Sequence, residues 1–237
     1  LVCVSGDLTQ RARTSQFQQA RAFLDALPQP QLIVPGNHDV PLHNIVARLT
    51  RPLTKYRRLI TAELQPVFHD EELLAVGLNT TRALTLKGGR INQEQLHSAQ
   101  QKFSAVSGPI FKLVISHHPF DVPPGHSTRD IVGRAAQVMS LLADSGAGIF
   151  LAGHLHRSHT GQTAKRYNLQ GHSALVVQAG TALSTRQRGE LNSFNVLTLE
   201  FPHVTVTRYE WQATTGQFMP QAPEIFLRQA NGWKRLR

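Results

Sequence analysis

Residues 31–39 read QLIVPGNHD. Leu32, Ile33 and Val34 make an apolar run of the length of a short buried strand. The run ends at Pro35, and Gly36-Asn37-His38-Asp39 follows: a turn residue, then a carboxamide, an imidazole and a carboxylate. In parallel α/β sheets the carboxyl ends of the strands line one crevice, the usual place for a ligand. A strand that delivers three ligand-type side chains at that end therefore predicts both an α/β fold and a site.

The same event occurs at three other places. LVCVS at 1–5 runs into Gly6-Asp7, FKLVIS at 111–116 into His117-His118-Pro119, and GIFLA at 148–152 into Gly153-His154-Leu155-His156. Carboxylate, carboxamide and imidazole together suit Mn, Fe or Zn. The glycines allow tight turns and close approach of the backbone. His154 and His156 are two residues apart, so an extended segment can point both to one side. One such motif alone reads as a turn. Four, each at the end of an apolar strand, point to a metal cluster.

The first two thirds of the chain alternate such runs with helical patterns. Thr14 or Ser15 can cap a helix through Leu27, with Phe17, Ala20, Phe23, Leu24 and Leu27 at helical spacing and Pro28 and Pro30 beyond it. Residues 44–62 have mixed helical character, interrupted by Pro52. Residues 67–69 and 73–78 read as a strand pair. Asn92 to Gln95 resembles a capping box that opens a helix to about Ser107. Residues 128–144 read as one helix with Ile131, Val132, Ala135, Val138, Met139 and Leu142 on one side. After His156, residues 174–179, 194–201 and 204–211 are β-rich with no helix between them. Alternation followed by a meander predicts an α/β fold, a layered α-β-β-α sandwich whose second sheet is largely antiparallel. One domain is expected over 1–215, with a loose tail over 216–237.

The net charge is +10, which favours anionic partners: phosphates, nucleic acid or acidic lipid. The basic runs at 51–58 and 234–237 lack the interleaved aromatics of a single-strand nucleic-acid groove, so nucleic acid is not the favoured partner. No run reaches the roughly 18–20 apolar residues of a membrane span. The single cysteine, Cys3, forbids an intrachain disulfide and fits a reducing cytoplasm.

Gly6-Asp7, Gly36-Asn37-His38-Asp39, His117 and Gly153-His154-Leu155-His156 together resemble the calcineurin-like metallophosphoesterase superfamily. The stretches GDLTQRA, PGNHDVP and QAGTALSTRQRGELNSFNVL are similar, within it, to bacterial class III cyclic-nucleotide phosphodiesterase-like proteins. The resemblance implies two divalent ions (Mn, Fe or Zn) and a small phosphodiester substrate. It implies that Asp7 bridges the ions, that Asn37, His117 and His154 complete the second site, and that His156 belongs to the first. His38 would sit beside the scissile phosphate, oriented by Asp39, and His118 would stand behind the ligands.

The family pattern begins with a strand ending in Asp-x-His, and no such pair precedes Asp7. The expectation is a chain lacking its first βα unit, holding one ion and hydrolysing slowly or not at all. For the substrate pocket the candidates are His43, Asn79, which ends the run LLAVGLN, and Arg186 and Arg188 in a Gly/Arg/Ser-rich loop. Arg51, Arg57 and Arg58 could meet a phosphate. A nuclease would predict strong salt dependence. A nucleotide-sugar hydrolase is a further alternative, and a lipid-directed one would predict an apolar amphipathic patch near the pocket, for which residues 42–59 are the one candidate and a poor match. A relic binding domain is the non-catalytic reading.

Overall fold

The computed structural model describes residues 1–83, 88–123, 125–163, 167, 173–184, 189–230 and 232–236. Strands β1 (Val2–Val4) and β2 (Gln31–Ile33) pair in parallel around helix α1 (Thr14–Asp25). A short 3-10 turn at Asn37–Asp39 follows β2. Helices α2 (Ile45–Thr50) and α3 (Thr54–Leu59) come next, divided where Pro52 was expected to interrupt. Phe17 and Leu24 of α1, Tyr56 of α3 and Ile33 of β2 form one apolar cluster. These two helices therefore cover one face of the β1–β2 pair.

The six-stranded sheet contains β3 (Val67–His69), β4 (Leu73–Leu78), β5 (Phe111–Ser116), β6 (Ile149–Ala152), β7 (His159–Gln162) and β8 (Leu175–Gln178). Its order is β3-β4-β5-β6-β8-β7. The four central strands are parallel and the two edges antiparallel. Helices α4 (Gln93–Ser104) and α5 (Ala135–Asp144) lie on one face, burying Leu96, Ala99, Phe103, Val138, Met139 and Leu142 against Val76, Val114 and Phe150. Asn92 caps α4 as its sequence predicts, its side chain accepting from the Gln95 amide at 2.8 Å.

The opposite face packs on a second sheet of β9 (Ser193–Glu200), β10 (His203–Gln212), β11 (Gln217–Pro220), β12 (Glu224–Gln229) and β13 (Gly232–Arg235). All its pairings are antiparallel. Phe111, Leu113 and Ile115, alternate residues of β5, meet Val204, Val206, Phe226 and Trp233 between the sheets, together with Leu32 and Val34. The result is the mixed, layered α/β sandwich that the alternation and meander predict.

Two expectations are corrected. Residues 216–237 were expected to be a loose tail, yet β11, β12 and β13 lie within them. Trp233 is buried, donates from Nε1 to the Gly148 carbonyl at 2.9 Å and stacks on Phe111. The segment lacks helical spacing and alternates only weakly, so its strand character comes from pairing, of β11 and β12 with β10 and of β13 with β12, rather than from local propensity. The single helix expected over 128–144 divides into a 3-10 turn at Thr128–Asp130 and α5. Between them Gly133 forms a bridge with Arg90, Val132 donates to the Pro119 carbonyl, and Arg134 takes a left-handed conformation. Those pairings take the backbone out of helical register until Ala135. No helix among the described residues is long and apolar enough to cross a membrane.

Candidate metal centre

The ends of β1, β2, β5 and β6 meet at one crevice. Gly6 has φ +87°, and a Cβ there would lie 2.6 Å from the Gly36 amide and 2.9 Å from Nδ1 of His117. Only glycine lets the first two strand ends interlock this closely. Beyond the glycines the backbone stays in the left-handed region at Asp7 (φ 57°), His154 (φ 75°) and His156 (φ 56°). Non-glycine residues rarely adopt it, and three in one crevice mark a site that the surrounding fold holds under strain.

The donor atoms converge. Oδ1 of Asn37 lies 2.9 Å from Nε2 of His117 and 3.2 Å from Nδ1 of His154. The two histidine nitrogens are 3.2 Å apart, and Oδ1 of Asp7 is 3.4 Å from Nε2 of His117. Nδ1 of His117 is 2.7 Å from the Ser5 carbonyl, which can only accept, so the His117 proton belongs on Nδ1. Its Nε2 then presents a lone pair to the lone pairs of Asn37 and Asp7. Acceptors gathered this closely fit a cation, and a ligand histidine whose other nitrogen donates to a carbonyl is the usual arrangement. Burial, and then the neighbouring His117, push His154 down to about 3, which keeps it neutral and able to ligate.

The other expected residues divide. His156 is half-buried, and a charge on it would disfavour protonation of His154. His118 is buried behind the centre, its Nδ1 2.8 Å from the Thr80 hydroxyl and its ring against both His117 and His154. The ligand atoms of these three histidines lie within 4.8 Å of one another. His38 is half-buried in the loop, its amide donating to Oδ1 of Asp7 at 2.9 Å.

Asp39 does not orient His38. Its Oδ2 accepts from the amides of Gly36 (2.9 Å) and Leu8 (3.3 Å), and its Oδ1 from the amide (2.9 Å) and hydroxyl (3.1 Å) of Thr9. It ties the first crevice loop to the second. The His38 ring instead rests on the Gln10 carbonyl, 3.0 Å from Nδ1. Burial, and then the charge of Asp7, raise Asp39 to about 7 against the pull of those donors.

Asn79 is also placed otherwise than expected. It is buried, and its Oδ1 accepts from the Thr81 amide at 2.9 Å, so its side chain closes its own turn. His43 is exposed in the turn before α2. Arg186 and Arg188 lie outside the described residues. Sequence reasoning missed Ser5, Thr9 and Gln10, which act through short backbone or hydroxyl contacts that residue type does not advertise. It also missed Asp130, whose Oδ1 stands 4.0 Å from Nε2 of His154. Reading 128–144 as one helix hid that placement.

A family model described as calcineurin-like phosphoesterase matches residues 1–158. Among solved structures, the chain is similar to a dimetal phosphatase from Danio rerio, with TM-score 0.59 and 16% identity over 87% of this chain and 80% of that one. Two structures of Vps29 from Entamoeba histolytica also match. A single mutant has TM-score 0.44 and 12% identity over 93% and 80% of the two chains. The wild type with Zn²⁺ has TM-score 0.36 and 15% identity over 85% and 87%. The first of these likenesses shows the shared fold. No curated protein matches the sequence.

Proposed function

The chain belongs to the calcineurin-like phosphoesterase family, and from that premise we propose that it hydrolyses a phosphodiester, in a small substrate of the cyclic-nucleotide kind. The observation that carries this reading is the convergence of Asp7, Asn37, His117 and His154 on one cation-sized locus. A divalent ion bound there would supply positive charge to phosphoryl oxygens and acidify a coordinated water. The remaining work belongs to the chain. His38 donates from Nδ1 to the Gln10 carbonyl, which leaves Nε2 as the ring nitrogen that would face the leaving alkoxide; in the imidazolium form that nitrogen carries the proton to be passed on. The loop stretches GDLTQRA and PGNHDVP support the cyclic-nucleotide phosphodiesterase-like subgroup.

These residues furnish one complete donor set. For a second ion the sequence offers Asp7 and His156, two donors where three or four are usual. The test is hydrolysis of bis-p-nitrophenyl phosphate with added Mn²⁺. The account expects measurable release that falls about 100-fold or more in His38→Ala, with bound metal unchanged. Hydrolysis of monoesters alone, or none in either protein, would sink the phosphodiesterase reading.

A further inference from the structure

The segment after the Gly36–Asp39 loop turns its apolar side chains outward. Leu42 is 45% exposed, Ile45 67%, Val46 73% and Leu49 53%. Ile45, Val46 and Leu49 share one face of α2, with Leu42 in the turn before it, and such a face in a soluble protein ordinarily meets the core. Here the same element buries its cation instead. Arg48 is 7% exposed, with Nε donating to the Ala83 carbonyl at 2.6 Å and Nη1 to the Pro41 carbonyl at 3.1 Å. That anchor fixes the rotation of α2, so the aliphatic stripe is held towards solvent.

Charge identifies what would cover it. Residues 40–62 contain no Asp or Glu and carry Arg48, Arg51, Lys55, Arg57 and Arg58. Apart from Arg48 these cations are exposed, and no described carboxylate lies within 4.0 Å of them. Lys55 donates to the Ala12 carbonyl at 3.0 Å, which brings α3 beside the exposed Arg11 and Arg13. The chain as a whole carries +10. An aliphatic stripe within an acid-free, cation-bearing segment is the pattern of a surface that inserts its apolar side chains below the headgroups of an anionic bilayer. A nucleic acid would have no use for the aliphatics, and an apolar protein groove none for the uninterrupted positive rim.

We propose that residues 42–58 form a docking ledge for an anionic phospholipid surface, immediately beside the candidate metal centre. Leu42 is only three residues beyond Asp39, so docking would bring the His38 loop to the level of the headgroup phosphates. The inference goes beyond the proposed function and does not depend on it, because binding needs neither metal nor turnover.

The test is co-sedimentation with vesicles of phosphatidylcholine and of phosphatidylcholine mixed with phosphatidylglycerol. The ledge predicts binding to the phosphatidylglycerol vesicles only, weakened at least tenfold between low and moderate salt. It also predicts at least tenfold weaker binding for the triple variant Ile45→Ser, Val46→Ser, Leu49→Ser. Those side chains are mostly exposed, so the fold should survive, which circular dichroism would verify. No partition into the anionic vesicles would overturn the proposal, and so would equal binding by the triple variant. A self-associated species that the variant dissolves, without vesicle binding, would assign the stripe to a second copy and also overturn it. Hydrolysis of soluble bis-p-nitrophenyl phosphate should be the same in both proteins. Failure of the vesicle assay with hydrolysis intact would therefore leave the phosphodiesterase reading standing, and the reverse result would leave the ledge.

Discussion

At Asp39 one carboxylate holds two strand-end loops together, accepting from Gly36, Leu8 and Thr9. Removing it would leave buried backbone donors without an acceptor, each costing about 1–3 kcal/mol. Asp39→Ala should therefore lower stability by roughly 3 kcal/mol or more in urea unfolding, and loosen metal binding as a consequence. At His154 the sign of a pH effect can be worked out. Burial and His117 hold its folded pKa at about 3, below its ordinary value of about 6.5. The folded protein then binds fewer protons than the unfolded chain between those values. The contribution is present above about pH 6.5 and is lost as pH falls toward 3, by up to about 1.4 kcal/mol per pH unit. Asp39 acts in the opposite sense, since its raised pKa adds a cost as pH rises from about 4 toward 7. Comparing metal-free wild type with His154→Gln at pH 7 and pH 5 isolates the histidine: the wild type should lose more stability on acidification. The donor residues could be read from the sequence because their side chains are ligand types at strand ends. The supports of Ser5 and Gln10 could not, because they act through backbone carbonyls, which every residue has.

Elements meet at this crevice through close backbone contact. The left-handed conformation at Gly6 and the closeness of Gly36 leave no room for a side chain. Gly6→Ala should remove metal binding even where circular dichroism shows the sheets retained, because it separates β1 from β2 at the point where Asp7 and Asn37 must converge. Strands were legible wherever an apolar run ended in punctuation, as in β2, β5 and β6. The helix expected over 128–144 misled because its apolar spacing is genuine in part. Val132 and Ala135 do join the core, but Gly133 spends its backbone on Arg90 and Gly89. That long-range pairing outweighed a local pattern, and it is what carries Asp130 to His154.

For the whole molecule, two sheets share one core, and the C-terminal strands supply part of it. Trp233 is buried against Phe111 and hydrogen-bonded to Gly148, so it bridges β13 to the six-stranded sheet. Trp233→Ala should cost about 3–5 kcal/mol in urea unfolding, a loss that a loose tail could not produce. The layering was legible in the order of elements. The closure of the second sheet by β11, β12 and β13 was not, since their apolar alternation is weak and their strand character comes from pairing with neighbouring strands. The metal donors stand where these layers meet. Their convergence is tested most directly by measuring Mn²⁺ content per chain after loading and gel filtration. At least one ion per chain should be retained, held by Asp7, Asn37, His117 and His154, and lost in His117→Ala. A chain that emerges without metal would contradict the donor cluster itself.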